Sequence, residues 1–316
     1  MARIVGRRLL IGLIVLFAVS VLVFAASLVL PGDAARALIG RDASPERLVA
    51  LRAQLHVNQS LPVRYASWLG DLFTGELGDS LATGRPVAAL IGERAANSAV
   101  LVALSAVVAT PVAILLGTVT AWRRGGVIDR ASSAARPVAA AVPQFVVGIL
   151  AILLFSTAVL HWFPAATPTG VSGSVWGHPA ALVLPAVTLA IGVLPHTVQR
   201  MRTAVAGVAG SAFVQQARLR GVPERTVLRR YVAPNAIGAV AQAAALQLAW
   251  LTGGLVIVEY LFAYPGIGRG LVDAVASRDL PTLQALVLVI AAAYLVLHAL
   301  ADVLRALTSP EMRTAR

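Results

Sequence analysis

Five histidines (His56, His161, His178, His196 and His298) carry the side chains best suited to acid–base or metal chemistry, and they are scattered along the chain. None stands in a ligand-like spacing such as His-Glu-x-x-His, so packed or interfacial histidines are the better reading and no cofactor or metal is expected. The chain has no cysteine, which excludes disulfides, thiolate nucleophiles and cysteine-held metals. Lysine is absent too: all 26 basic residues are arginine. The phosphate-binding loop of common NTPases needs a lysine after its glycines, so if ATP drives this chain, a partner hydrolyses it. No Ser–His or two-acid pairing falls within the apolar stretches, which disfavours an intramembrane hydrolase and leaves no catalytic candidates.

The remaining polar candidates are uncharged and embedded in apolar sequence: Asn97, Ser98, Gln144, Gln242 and Gln247, with Glu259 at the outer end of such a stretch. In hydrocarbon these groups need partners, so they face other helices or a water-filled path. Contact between helices is the commoner role for any one of them; a place on a translocation path is the alternative. Pro111, Pro143, Pro185 and Pro195 read as kinks rather than a site.

The elements that must position these residues are membrane helices. Hydrophobic residues make up 58% of the 316, and charged residues 13%, against about 25% in a soluble globular chain. The mean hydropathy is +0.82. About 20 apolar residues cross the ~30 Å hydrocarbon core, and six charge-free stretches qualify: 9–30, 98–122, 137–160, 179–199, 235–258 and 280–301. The third and fourth share one charge-free run between Arg136 and Arg200, divided by Trp162, Phe163, Pro164, Pro168, Gly170, Gly173 and Gly177, which reads as a turn with interfacial aromatics.

Arginine placement predicts the orientation. With both termini in the cytoplasm, the inner segments hold 17 of the 26 arginines and only four acids, whereas the outer segments nearly balance. The net charge of +12 is therefore read as arginine held on one side of a membrane, with no nucleic-acid partner. Residues 1–30 read as an uncleaved first span, because the apolar run is longer than the ~7–15 residues of a signal-peptide core. The outer segment 31–97 contains two helix signals. Ser44-Pro45-Glu46 offers a capping hydroxyl, a proline and a first-turn acid. Pro62 opens an amphipathic stretch with Tyr65, Trp68, Leu69 and Leu72 on one face.

The inner segment 200–232, between the fourth and fifth spans, is arginine-rich and short. Gln215-Gln216-Ala217-Arg218-Leu219-Arg220-Gly221, continuing to Tyr231-Val232-Ala233-Pro234, reads as a helix, a glycine stop and a second helix from Pro223. Such an element presents a rigid knob to a cytoplasmic partner; the alternative is a basic loop held at anionic headgroups.

This loop resembles that of importer-type ATP-binding cassette (ABC) permeases, E-A-A, three residues, Gly, nine residues, I-x-L-P. Ala217, Gly221 and Pro234 fall on that pattern, while Gln215, Gln216, Tyr231 and Ala233 replace its Glu, Ala, Ile and Leu. Other segments are similar to the dipeptide/oligopeptide/nickel permease family, on the first of its two paired subunits, along nearly the whole chain. They are Leu30-Pro31-Gly32-Asp33-Ala34, Gly75-Glu76-Leu77-Gly78-Asp79-Ser80, Pro143-Gln144-Phe145-Val146-Val147-Gly148, Gly253-Gly254, Val258-Glu259 and Phe262-Ala263-Tyr264-Pro265-Gly266-Ile267-Gly268. The family's terminal Asp-Pro-Arg is here Ser309-Pro310-Glu311-Met312-Arg313.

The resemblance implies an all-α membrane protein with six transmembrane helices and the type I ABC importer permease fold. It implies residues 1–30 as cytoplasmic N-terminus and first helix, 31–97 as an extracytoplasmic loop with short helices, 98–305 as a five-helix core, and 306–316 as a cytoplasmic tail. It implies a second homologous permease, one or two ABC ATPase subunits and an extracytoplasmic solute-binding protein as partners, beside membrane lipid. Phe213, Val214, Gln215, Gln216, Ala217, Arg218, Gly221 and Pro234 would couple to the ATPase; Asn97, Gln144, Gln242, Gln247 and Glu259 would lie on the translocation path. Peptides are the expected solute, with nickel or another small solute as the alternative. A stand-alone secondary transporter would carry ionisable residues at mid-membrane, which the six stretches lack. A scaffold without transport would not need the spacing that ends at Pro234.

Overall fold

The structure is a computed structural model, and it describes residues 2–29, 60–123, 125–168 and 175–308. The expected helix start at Ser44-Pro45-Glu46, the Leu30–Ala34 motif, Gly170, Gly173 and the terminal Ser309–Arg313 segment lie outside the described residues. The described elements are all helical, joined by turns and irregular segments, with no strand beyond one isolated bridge between Asp79 and Pro86.

In chain order the principal helices are α1 (Ala2–Val29), α2 (Leu61–Thr74), α3 (Val87–Trp122), α4 (Val127–Ala141), α5 (Gln144–Ile152), α6 (Ala180–Ala209), α7 (Ala212–Leu219), α8 (Ala233–Leu261), α9 (Ile267–Ala276) and α10 (Leu280–Thr308). Four helical runs are long and apolar enough to cross a membrane: α3, α6, the run Glu224–Leu261 that contains α8, and α10. A fifth crossing results if α4 and α5 form one bent span. In α1 the apolar stretch among the described side chains is Leu10–Ala26.

Helix α6 sits at the centre, packed on α3, α8, α5 and α4. Its first half is almost wholly buried from Ala181 to Ala190, as expected for a helix surrounded by protein. Small residues set the closest approaches, as membrane helices require. A Cβ on Gly117 of α3 would fall 2.5 Å from Met201 Cβ and 2.9 Å from the Arg202 nitrogen, so α3 and α6 touch nearly backbone to backbone. Helix α2 does begin at Pro62. It rests on α1 through Tyr65 and Trp68, whose rings lie 5.3 and 5.7 Å from Phe24, and Tyr65 Oη pairs with Ser20 Oγ at 2.7 Å.

Three expected boundaries differ. The stretch 137–160 is not one straight helix: α4 and the segment Gln144–Thr157 meet at 91°. Pro143 causes the break, because its ring pushes Val142 out of the helical region; Val142 is extended (φ −73°, ψ 118°). The fourth stretch does not stop before Arg200, since α6 runs on to Ala209 and carries Arg200 and Arg202. The fifth stretch does not begin at residue 235 either. Helical structure is continuous from Glu224, with a wide π-helical turn at Val227–Val232 just before the proline, and such a turn accommodates the missing N–H.

Candidate functional site

Helix α7 is a short, well-terminated knob. Ser211 precedes it in extended conformation (ψ 152°). At its end the Gly221 N–H donates to the Arg218 carbonyl at 2.9 Å and the Val222 N–H to the Ala217 carbonyl at 3.2 Å. This is the Schellman arrangement, which needs a left-handed residue at its turn; Gly221 supplies it with φ +75°. Val214 and Ala217 are buried in a cluster with Ala121, Val205, Val227 and Val232. They anchor the knob to the ends of α3, α6 and the run leading into α8. Arg218 braces the turn: its guanidinium reaches Glu224 at 3.0 Å, donates to the Ala209 carbonyl at 3.4 Å and lies 5.3 Å from the centre of the Trp122 ring.

The rest of the helix surface is free, with Phe213 and Arg218 flanking the anchored face. Phe213, Gln215, Gln216 and Arg218 are exposed. Leu219, absent from the sequence-based set, is 88% exposed and lies across the helix from Val214 and Ala217, given 3.6 residues per turn. Two exposed apolar side chains, Phe213 and Leu219, on so short a segment form a surface suited to a protein partner. The signal was present in sequence as an apolar residue interrupting Arg218 and Arg220.

The path candidates separate into two groups. Asn97 and Glu259 are engaged within the chain. Glu259 is fully buried and accepts from Ser98 Oγ at 2.5 Å, from the Gly268 N–H at 2.7 Å and from the Arg269 N–H at 3.2 Å. It thereby caps α9, whose first N–H groups have no helical acceptor. Asn97 Nδ2 donates to the Pro265 carbonyl at 2.9 Å, and Tyr264 Oη donates to the Asn97 carbonyl at 2.7 Å. Ser98 Oγ also accepts from the Ile267 N–H at 2.9 Å. Together these bonds clasp the α8–α9 turn to α3. The clasp explains the Phe262–Gly268 motif: a Cβ on Gly268 would sit 2.5 Å from the Val256 Cα, so the turn closes only with glycine there.

Gln144, Gln242 and Gln247 form the other group. Gln144 inserts its amide between Gly192 of α6 and Gly254 of α8, where any Cβ would collide with it. Gln144 Nε2 and both polar atoms of the buried Gln247 have no hydrogen-bond partner among the described residues. Gln242 is partly buried on α8. Towards the C-terminal end of α6, α4 docks to α6 through Asp129, which accepts from Arg202 at 2.9 and 3.2 Å and from the Gly125 N–H at 3.0 Å. The Gly125 hydrogen bond first, then the Arg202 guanidinium, hold the Asp129 carboxyl below the usual carboxylate range.

Residues 113–314 match the family model for the binding-protein-dependent transport system inner membrane component, and residues 1–114 match its N-terminal membrane component. The chain belongs to this transport family. It is similar to a provisionally named peptide transport system permease protein of Brucella abortus, with 32% identity over 99% of both chains. It is also 33% identical to the glutathione transport system permease protein GsiC of Escherichia coli, again over 99% of both. A peptide ABC transporter permease assigned in Sinorhizobium fredii is 29% identical over 97% of this chain and 98% of its own length. Membership makes the chain a multi-pass component of the inner (plasma) membrane and a transport component rather than an enzyme.

Proposed function

We propose that this chain is the permease subunit of an ABC importer for peptides, paired with a second homologous permease. One or two ATPase subunits would sit on its cytoplasmic side and a solute-binding protein on its outer side. Similarity over nearly the full length to relatives named for peptide and glutathione transport carries the reading. The six-helix arrangement with both termini cytoplasmic rests on the arginine distribution.

The coupling segment is α7 with its Gly221 turn. A knob transmits force only if it is rigid and the helices it moves have two discrete arrangements. The Schellman turn, the Arg218 brace and the buried Val214 and Ala217 support the first condition. Val214, Ala217, Gly221 and Pro234 then serve to hold the knob, while Phe213, Gln215, Gln216, Arg218 and Leu219 meet the ATPase. Gln144, Gln242 and Gln247 are the candidates on the path, and residues 31–97 the contact with the binding protein.

The test is reconstitution of the four components in liposomes with labelled dipeptides, longer peptides and nickel presented separately. ATP-dependent uptake of peptide that requires the binding protein is the expected result. Uptake of nickel alone would reassign the solute, and transport by this chain as a lone subunit would remove the importer reading.

A further inference from the structure

The outer half of α6 is enclosed by protein, but its inner half turns a polar face outward. His196, Gln199, Arg200 and Thr203 lie on one side of the helix, opposite the buried Thr197, Met201 and Val205. His196 and Thr203 are exposed and Gln199 and Arg200 partly so. The indole of Trp250 on α8, 47% exposed, borders this face: its ring stacks on His196 at 5.1 Å and lies 5.4 Å from the Arg200 guanidinium.

This face lies deep in the molecule. Arg200 is nine residues from the end of α6, ~14 Å along the axis at 1.5 Å per residue. Trp250 is eleven residues from the outer end of α8, ~16 Å by the same measure. The face therefore sits within the span, away from either end. An arginine at that depth is not left toward lipid, since exposing it to hydrocarbon costs several kcal/mol; such residues face a bundle interior or a water-filled cavity.

The charge is also unbalanced. Among the described residues, no carboxylate lies within ion-pair distance of Arg200, in contrast to Arg202, Arg94, Arg218 and Arg269. A second arginine joins it: Arg136 of α4 donates to Gln199 Oε1, and although it acts electrostatically on Asp129, no carboxylate lies within ion-pair distance of it among the described residues. Above them, the unpartnered amide of Gln144 closes the strip.

We infer that the His196–Gln199–Arg200–Thr203 face of α6, with Trp250, lines the aqueous path and that Arg200 recognises a carboxylate of the passing solute. The inference rests on the reading of the chain as part of a peptide path and names the solute chemistry that path favours. Arg200 offers charged donors, the Trp250 ring borders its guanidinium, and no acid among the described residues pairs with it. A carboxylate borne by the solute neutralises a partly exposed cation as it passes. Because the contact is single and partly solvated, it is strong enough to select and weak enough to release.

The experiment uses the assembled importer in liposomes with two labelled dipeptides, Ala-Glu and the C-terminal amide of Ala-Lys, which carries no carboxylate. Arg200→Gln is expected to lower Ala-Glu uptake about tenfold, the scale of one charge-assisted hydrogen bond. Uptake of the Ala-Lys amide should change less than twofold, binding-protein-stimulated ATP hydrolysis should persist, and Arg200→Lys should restore most Ala-Glu uptake. Equal loss of both peptides in both variants would mark Arg200 as merely structural and overturn the inference. So would unchanged uptake of both. Failure of the wild-type assembly to import any peptide would instead overturn the peptide reading, and this inference with it.

The absence of cysteine provides a second measurement. Thr203→Cys on this chain should react with a membrane-impermeant sulfonate thiol reagent, read as a mass shift of this subunit. Protection of that thiol throughout the transport cycle would place the face against lipid or another subunit and overturn the inference even if Arg200→Gln failed to assemble.

Discussion

The Glu259 carboxylate accepts a hydrogen bond from Ser98 Oγ at 2.5 Å across 161 residues of chain. The same carboxylate receives two backbone N–H groups at the start of α9, so one side chain joins α3, α8 and α9. Removing it leaves three buried donors without an acceptor, and each such orphan costs about 1–3 kcal/mol. Glu259→Ala should destabilise the detergent-solubilised protein by about 3 kcal/mol or more, read by thermal unfolding. Glu259→Gln, which keeps one acceptor oxygen, should lose less. Equal stability of Glu259→Ala and wild type would show that the clasp does not hold the turn.

The α3–α6 contact gives a prediction with an internal control. Gly117→Ala places a Cβ against backbone and a Cβ that cannot swing away, so the helices must separate, at about 1–3 kcal/mol. Gly253 of α8 has nothing within 4 Å, and Gly253→Ala should leave stability unchanged or slightly raised. Differential scanning fluorimetry of the two variants checks both.

The knob can be broken in two distinguishable ways. Gly221→Ala meets no steric obstacle; its cost is that of a left-handed alanine, about 1 kcal/mol, and falls on the turn. Leu219→Glu touches no buried group, so the isolated subunit should keep its unfolding temperature. Copurification of the ATPase subunits should nevertheless drop severalfold, because a charge replaces an apolar contact. Full retention of the ATPase with Leu219→Glu would exclude this face as its dock.

The Asp129–Arg202 tie predicts a pH dependence. The Asp129 carboxyl is held below its ordinary value in the folded chain. Its contribution is therefore complete above the unfolded carboxylate range, near pH 4, and is lost as the pH falls through the lower folded value. Wild type should be more stable than Asp129→Asn near pH 7, and the gap should shrink below about pH 4. A gap independent of pH would assign the difference to packing rather than charge.

Much of the helical plan is legible from composition. Long apolar runs, the Pro62 start of α2 and the Gly221 stop all follow from local chemistry, because lipid, proline and glycine act over a few residues. What was not legible lies where a local rule meets a tertiary contact. Counting charge-free residues ended the fourth stretch before Arg200 and began the second at Ser98. Helices α6 and α3 continue past these charges because Asp129 and Trp250 receive Arg202 and Arg200, and Asp273 receives Arg94. The Asn97–Ser98–Glu259 clasp joins residues more than 160 positions apart, and no spacing rule reaches that far. The polar face of α6 was hidden for the same reason: its most telling residue had been counted as loop.

The right-angled elbow at Pro143 bears on the bilayer itself. Beyond it, Gln144–Thr157 is only 14 residues long, ~21 Å of rise, whereas the hydrocarbon layer is ~30 Å thick. Fatty acyl tails beside this stub must shorten or tilt to meet it. If this segment alone meets the lipid, a thinner bilayer on that flank is the expected consequence, and the working rate should then respond to the chain length of the phospholipids around it.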